Sequence, residues 1–280
     1  MSNPSLIPLI EDYLRQEMTL GRWDKIAPST LPPEPGDREV FLKKLAAARK
    51  AAAGNGGAAQ ASKPGANAAP ETASKFRPPF QPGGRSKIEN LSQLREYMLA
   101  CRQCPLFKDR HNLVFGSGDP EAKIMFIGEA PGEDEDLQGE PFVGRAGQLL
   151  TDIIEKGMKI PRKSVYIANV LKCRPPMNRD PQPNEIDCCT PALAWQIKIV
   201  RPKVIIALGA FASRYLLNTK SGINALRGSF HTLRIDGMAI PVMPTYHPSY
   251  ILREYTIEVR RKVWSDVTQV VKYLEQNKEA

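Results

Sequence analysis

The chain has 280 residues, of which 42% are hydrophobic and 25% charged, the proportions of an ordinary soluble globular protein. Lysine and arginine outnumber aspartate and glutamate by 39 to 30, and the resulting net charge of +9 suits a polyanion such as nucleic acid without identifying one. No stretch reaches the roughly 18 consecutive apolar residues of a membrane span, and the N-terminus lacks the basic region of a secretory signal, so we expect a cytoplasmic protein without membrane contact.

The first 88 residues differ in composition from the rest of the chain. Residues 1–50 carry two short helical patterns around a proline-rich stretch, which predicts a small helical segment. Residues 51–88 are mostly Ala, Gly, Pro, Ser, Gln and Lys, with too little apolar surface to offset the entropy of ordering, so we interpret them as a disordered linker. A helical segment on such a tether could bind a protein partner.

Residues 89–280 are predicted to form one folded domain. Strands are predicted at 123–127, 164–170, 204–208 and 240–244, and helices at 147–157, 184–200, 210–217 and 256–276. Apolar strands separated by helices indicate an α/β fold, a three-layer α/β/α sandwich around a central, mostly parallel four-stranded sheet. Ligand sites in such sheets collect at the carboxyl ends of the strands.

A glycine-rich segment, GEAPGEDEDLQGEPFVGRAG, follows the first predicted strand directly. Gly128, Gly132 and Gly144 permit tight turns and close approach of the backbone to a ligand. A helix that begins near Arg145 could bind phosphate at its N-terminus. The segment could equally be a plain connection with a solvated acidic face.

The five cysteines contain one close pair, Cys101 and Cys104, followed by Cys173 and by the neighbours Cys188 and Cys189. Five cysteines in a chain this long do not indicate a small disulfide scaffold, which favours a reducing compartment. A C-x-x-C pair with two distant thiols can supply four ligands to a zinc ion or an iron–sulfur cluster, and the spacing does not separate the two. Scattered buried thiols are the alternative.

Two further polar groups follow predicted strands. His247, one of three histidines, comes after the fourth strand in the segment TYHPSYILR, and Asn169 ends the second strand. A lone histidine or a strand-end asparagine is more often structural than functional. Bulky residues beside Arg253 could be core, but they also resemble a wedge that enters a base stack.

Three segments and the cysteine pattern together resemble the family 4 uracil-DNA glycosylases over about residues 91–273. In chain order, the segments are GEAPGEDEDLQGEPFVGRAGQLL, NVLKCRPPMNR and HPSYILR. The resemblance implies that residues 89–280 are a uracil-DNA glycosylase domain. It also implies a [4Fe–4S] cluster held by Cys101, Cys104, Cys173 and Cys189, although the adjacent Cys188 leaves the fourth ligand slightly open.

The implied activity is that of a monofunctional glycosylase acting on single- and double-stranded DNA. Such an enzyme flips deoxyuridine out of the DNA and hydrolyses the N-glycosidic bond, leaving an abasic site for base excision repair. His247 would stabilise the leaving uracil anion, and Glu135, with Asp136 behind it, would activate water. The residues that would bind the base are Gly128, Glu129, Ala130, Phe142 and Asn169. The residues that would contact DNA are Ser249, Tyr250, Leu252, Arg253, Arg145, Arg174 and Arg179.

Two alternatives stay open at this point. Related enzymes of other families often place an aspartate where this chain has Ala130, so a non-catalytic or covalently trapping uracil-DNA-binding protein is the first alternative. The second alternative is a zinc site in place of the iron–sulfur cluster. We expect a monomer.

Overall fold

The computed structural model describes residues 88–277. All of these residues belong to one compact unit. The helical segment predicted for residues 1–50 and the linker predicted after it lie outside the described residues, except for Ile88. Ile88, assigned to the end of the linker, is buried in the apolar core.

Six strands form one sheet in the order β1-β3-β2-β4-β6-β5. They are β1 (Ser117–Gly118), β2 (Ile124–Gly128), β3 (Tyr166–Asn169), β4 (Val204–Leu208), β5 (His231–Ile235) and β6 (Met238–Thr245). The four central strands are parallel, which confirms the predicted mostly parallel sheet. The two antiparallel edge strands, β1 and β5, were not predicted from the sequence.

Eight α-helices are described between residues 88 and 277. They are α1 (Leu91–Leu99), α2 (Glu133–Gln138), α3 (Arg145–Asp152), α4 (Pro183–Val200), α5 (Gly209–Leu217), α6 (Ile223–Leu226), α7 (Pro248–Arg253) and α8 (Ile257–Gln276). A π-helical turn, Ile153–Gly157, continues α3. None of these helices is long and apolar enough to cross a membrane.

Helix α7 corrects the sequence interpretation of this segment as a loop. Pro248 occupies the first helical position, where its missing N–H costs nothing, and the His247 side chain caps the helix by accepting from the Ser249 N–H. The six-residue helix buries Ile251 against Tyr246 and Val263. Ile251 is therefore a core residue rather than part of an exposed wedge.

Alternate residues of the central strands feed two apolar clusters, one on each face of the sheet. In β2, Met125 and Ile127 belong to the cluster that includes residues of α4 and α5, whereas Ile124 and Phe126 belong to the cluster that includes residues of α3 and α8. All five residues of β2 are buried, as expected of a strand covered on both sides. The predicted three-layer α/β/α sandwich is confirmed.

Candidate active site

A cleft of about 850 Å³ opens at the carboxyl ends of the four parallel strands. Its wall contains one residue at or just beyond the end of each strand: Glu129 after β2, Asn169 in β3, Gly209 after β4 and His247 after β6. Phe142 joins them from the loop between α2 and α3. The cleft lies where parallel α/β sheets usually bind ligands.

Asn169 presents an unsatisfied acceptor to this cleft. The residue is 2% exposed, and its Oδ1 atom has no hydrogen-bond partner. A Cβ added to Gly128 would collide with Asn169 Oδ1 and would lie 2.6 Å from Cζ of the Phe142 ring, so the amide and the ring meet above this glycine. A buried acceptor without a partner is costly, and here it fits a ligand that donates an N–H.

His247 lies next to the Phe142 ring in the same cleft. The two ring centroids lie 5.6 Å apart. His247 Nδ1 lies 3.2 Å from the backbone nitrogen of Ser249 and 2.7 Å from Ser249 Oγ. Because a backbone N–H can only donate, Nδ1 is the acceptor, and Nε2 carries the proton of the neutral ring.

The charge state of His247 follows from its surroundings. Burial lowers its pKa to about 4, and the positive charge of Arg253 acts in the same direction. The imidazole is therefore neutral at neutral pH, with one N–H donor.

The pKa of Glu129 is shifted upward, in contrast to the lowered pKa of His247. Burial, assisted by the negative charge of Asp180, raises the pKa of its carboxyl to about 7. A carboxyl that titrates near neutral pH in a cleft can exchange a proton with a reacting water molecule.

Glu135, which was predicted to activate water, has a carboxylate that is bound by backbone amides. It lines the cleft, but Oε1 accepts from the backbone N–H groups of Val143 and Gly144, both at 3.0 Å, and Oε2 accepts from that of Gly132 at 3.1 Å. Both oxygens of the predicted water-activating carboxylate are therefore engaged by the loop that surrounds them.

Asp136, predicted to stand behind Glu135, does not line the cleft. It is 1% exposed, and its Oδ2 lies 2.8 Å from Nδ1 of His111. Its carboxylate also accepts from the backbone N–H groups of His111 and Asn112. These contacts join α2 to the segment that precedes β1.

The predicted DNA-contacting residues divide between the cleft wall and its surroundings. Those that line the cleft are Arg145, Arg179, Ser249, Tyr250 and Arg253. Arg179 is also paired with buried Glu185, at 2.9 Å between NH1 and Oε2. Arg174 donates to Asn178 at 2.8 Å and lies 3.6 Å from Glu133, while Leu252 is half-buried on α7.

Arg214 is a cleft residue that the sequence analysis did not identify. It lies on α5, and its Nε donates to the carbonyl of Ser221 at 3.0 Å. The sequence held one signal that could have identified Arg214 as a cleft residue, its position on the helix that follows β4. That helix begins at the edge of the sheet where ligands usually bind.

All five cysteines line a second, small cavity near the C-terminal end of α1. Two of their sulfurs accept N–H hydrogen bonds: Cys173 Sγ from Arg110 NH1 at 3.3 Å and Cys189 Sγ from the backbone of Lys172 at 3.2 Å. Such bonds stabilise sulfur that carries negative charge.

Cys188 differs from the four cysteines expected to be ligands. Its sulfur donates to the carbonyl of Gln103 at 3.2 Å, as a protonated thiol does, whereas the Cys189 thiol is buried and accepts. Among the residues from 88 to 277, no three His, Cys, Asp or Glu side chains are grouped as they would be around one metal ion.

Comparison with known proteins gives a consistent result. A family model described as the uracil DNA glycosylase superfamily matches residues 115–268. The chain is 45% identical to the type-4 uracil-DNA glycosylase of Saccharolobus solfataricus over 187 residues, which are 65% of this chain and 86% of that protein. It is 43% identical to the type-4 uracil-DNA glycosylase of Thermotoga maritima over 192 residues, which are 68% of this chain and 97% of that protein.

A more distant match is the type-5 uracil-DNA glycosylase of Pyrobaculum aerophilum, which is 30% identical over 147 residues, covering 47% of this chain and 63% of that protein. The long matches to type-4 proteins agree with the superfamily match. The chain belongs to the type-4 uracil-DNA glycosylases of the uracil DNA glycosylase superfamily.

Proposed function

We propose that this protein is a monofunctional uracil-DNA glycosylase that removes uracil from single- and double-stranded DNA. The observation that carries the proposal is that one cleft is lined by the unsatisfied Asn169 acceptor, the Phe142 ring and a neutral His247 whose ring lies 5.6 Å from that of Phe142. The type-4 relatives are named for this activity.

Base selection follows from the amide of Asn169. In an extruded uracil, N3–H would donate to Asn169 Oδ1, which has no partner in the protein, and O4 would accept from the amide nitrogen. Phe142 would stack on the uracil ring. Cytosine has an acceptor at N3 and a donor at C4, so both contacts would be mismatched. A site that relies on buried hydrogen bonds rejects such a base strongly.

His247 would act when the glycosidic bond breaks. Negative charge then develops on uracil O2, and the Nε2–H donor of the neutral imidazole would stabilise it without transferring a proton. The hydrogen bond from the Ser249 N–H to Nδ1 keeps that donor on the correct nitrogen. His247 is the residue to which we assign stabilisation of the leaving group.

We assign activation of water to Glu129 rather than to Glu135 or Asp136. Glu129 is the acidic residue of the cleft whose pKa burial raises to about 7, the range suited to a general base at neutral pH. The oxygens of Glu135 bind backbone amides, and Asp136 does not line the cleft.

The absence of a lysine from the described cleft wall supports hydrolysis without strand cleavage. An enzyme that also cuts the strand needs an amine that attacks the sugar to form a Schiff base. The fully buried Lys172 instead donates to the Asn169 carbonyl at 2.7 Å. The expected product is an intact strand with an abasic site.

We assign a [4Fe–4S] cluster to Cys101, Cys104, Cys173 and Cys189, which line the cysteine cavity. The hydrogen bonds support Cys189 rather than Cys188 as the fourth ligand, because Cys189 accepts an N–H bond, as Cys173 does, while Cys188 donates its S–H. A bound cluster would tie the segment around α1 to the segments that carry Cys173 and Cys189. Its expected role is structural.

The DNA strand would lie along the positively charged side chains at the mouth of the cleft. Arg145, Arg214 and Arg253 line it, and contacts from arginine to phosphate give affinity that does not depend on sequence and weakens with salt. Half-buried Leu252, next to Arg253 on α7, would fill the space that the extruded base leaves.

The direct test is incubation of the purified protein with oligonucleotides that contain one uracil, followed by detection of free uracil and by alkaline cleavage. We expect uracil release and strand breakage only after alkali, with a thymine oligonucleotide unchanged. Tight retention of uracil DNA without release would instead identify a non-catalytic or trapping protein.

The cluster has its own test, which does not depend on activity. We expect a brown protein with about four irons and four sulfides per chain, and we expect the Cys188→Ser variant to keep both. A colourless protein that contains zinc would contradict the assignment.

A further inference from the structure

The backbone of Phe142 adopts a conformation that its side chain disfavours. Its φ angle is +56°, in the left-handed region that bulky residues rarely occupy, and its ring is buried at 6% exposure. Such a residue keeps this geometry only where its neighbours impose it.

Arg162 holds this backbone from outside the cleft. It begins the short 3₁₀ helix Arg162–Ser164 before β3, and its NH2 donates to the carbonyl oxygens of Pro141 and Phe142, both at 3.0 Å. Its NH1 donates to Thr151 Oγ1 on α3 at 2.9 Å. The planar guanidinium presents its N–H donors to the two consecutive carbonyls and the hydroxyl in a fixed geometry, whereas a lysine ammonium is a compact charge on a flexible stem.

Glu135 holds the same loop from the cleft side. Its Oε1 accepts from the next two N–H groups along the chain, those of Val143 and Gly144. Two opposite charges therefore fix the peptide groups on both sides of Phe142. Gly147 completes the arrangement, because a side chain there would collide with the Phe142 backbone.

We propose that Arg162 is a positioning residue for uracil excision, which together with Glu135 keeps Phe142 in its left-handed conformation with the ring turned into the cleft. This inference rests on the proposed function, since it assigns Phe142 to the flipped base. It goes beyond that function by giving a role to a residue that does not line the cleft.

The test compares single-turnover uracil release by Arg162→Gln, Arg162→Lys and the control Lys163→Gln. The control removes the same charge from the neighbouring exposed residue. We expect a loss of about 30- to 100-fold for Arg162→Gln, because small misplacement of a binding group has effects of this size. Arg162→Lys should recover only part of the rate, and Lys163→Gln should match the parent protein.

A double-mutant cycle separates positioning from general destabilisation. If Arg162 acts through Phe142, then Arg162→Gln should cause no further loss in a Phe142→Ala background. An equal loss in both backgrounds would overturn the proposal. Should Arg162→Gln fold poorly by melting temperature, Thr151→Val loosens the same guanidinium while retaining it, and its smaller loss should also vanish in the Phe142→Ala background.

A crystal structure of Arg162→Gln tests the inference without any activity. We expect φ of Phe142 to leave the left-handed region while Asn169 and His247 keep their positions. An unchanged Phe142 would refute the role of Arg162. A parent protein that releases no uracil, with Phe142 displaced in the variant, would refute the proposed function but not the positioning role.

Discussion

At the scale of single residues, the chemistry of the cleft depends on which atoms are already engaged. The histidine and the acidic run were evident in the sequence, but their hydrogen-bond partners were not. Only the fold shows that Nδ1 of His247 faces the Ser249 N–H and that both oxygens of Glu135 face backbone amides. The sequence therefore indicated the candidate residues. It could not decide which carboxylate activates water, because that depends on the geometry of the loops.

Replacement of Asn169 by alanine should reduce uracil excision strongly. The variant removes a buried amide that would hold the base, and the uracil N3–H would then be left without a partner, at a cost of about 1–3 kcal/mol or about 5- to 150-fold. Single-turnover rates on a uracil oligonucleotide measure this loss. A rate equal to that of the parent protein would exclude Asn169 from base recognition.

The pH dependence of the rate should follow the titration of the Glu129 carboxyl. Its pKa of about 7 predicts a rate that rises with pH below 7, as the carboxyl loses its proton, and is constant above it. Glu129→Gln should be slower and should lack this rise. A Glu129→Gln variant that keeps the rise would place the titrating group elsewhere.

His247 should add no pH dependence of its own between pH 5 and pH 8. Its pKa of about 4 lies below the ordinary value of 6.5, so folding favours the neutral ring. The resulting stabilisation is complete above about pH 6.5 and is lost as the pH falls toward 4. His247→Ala should lower the rate by about 10²- to 10³-fold at every pH in this range. A loss of rate seen only at the acid end of this pH range would show that the protonated imidazole takes part in the reaction.

At the scale of elements, the parallel strands were predicted and the two antiparallel edge strands were not. The four central strands are continuous apolar runs, whereas β1 has only two residues. The β5–β6 hairpin had a usable signal, Asp236–Gly237, whose positive φ angles of 46° and 78° suit a tight hairpin turn. Helix α7 was not predicted, although Pro248 was a usable signal because proline suits the first helical position.

The end of β6, which leads into His247, is anchored to α8 by a buried polar group. Asp266 is 0% exposed and accepts from Thr245 Oγ1 at 2.7 Å and from Arg227 NH2 at 2.6 Å. Asp266→Ala removes the carboxylate partner of the mostly buried Arg227 guanidinium, and loss of one partner of such a pair costs about 3–5 kcal/mol. We expect the melting temperature to fall by roughly 6–20 °C.

The matched control for this variant is Glu258→Ala on the same helix. Glu258 is 75% exposed and pairs with Lys262, and exposed pairs of this kind contribute little to stability. Thermal unfolding monitored by circular dichroism compares the two variants. Equal melting temperatures for Asp266→Ala and Glu258→Ala would show that the Asp266 anchor is not a stabilising contact.

At the scale of the whole molecule, the described unit contains the cleft, the cysteine cavity and the apolar core. We expect removal of residues 1–87 to leave uracil release unchanged, with the cut placed before Ile88 because that residue is buried. Rate measurements on the full chain and the shortened chain, together with gel filtration to test the expected monomer, check this. An inactive but folded shortened chain would assign a catalytic contribution to the N-terminal part.

The central claim is that one extruded uracil binds between Asn169, Phe142 and His247. A crystal structure of the protein with abasic DNA and free uracil tests this claim most directly. We predict uracil N3 within hydrogen-bond distance of Asn169 Oδ1, uracil O2 within that distance of His247 Nε2, and the base stacked on Phe142. Uracil bound elsewhere, or bound here with its O2 turned away from His247, would contradict the account.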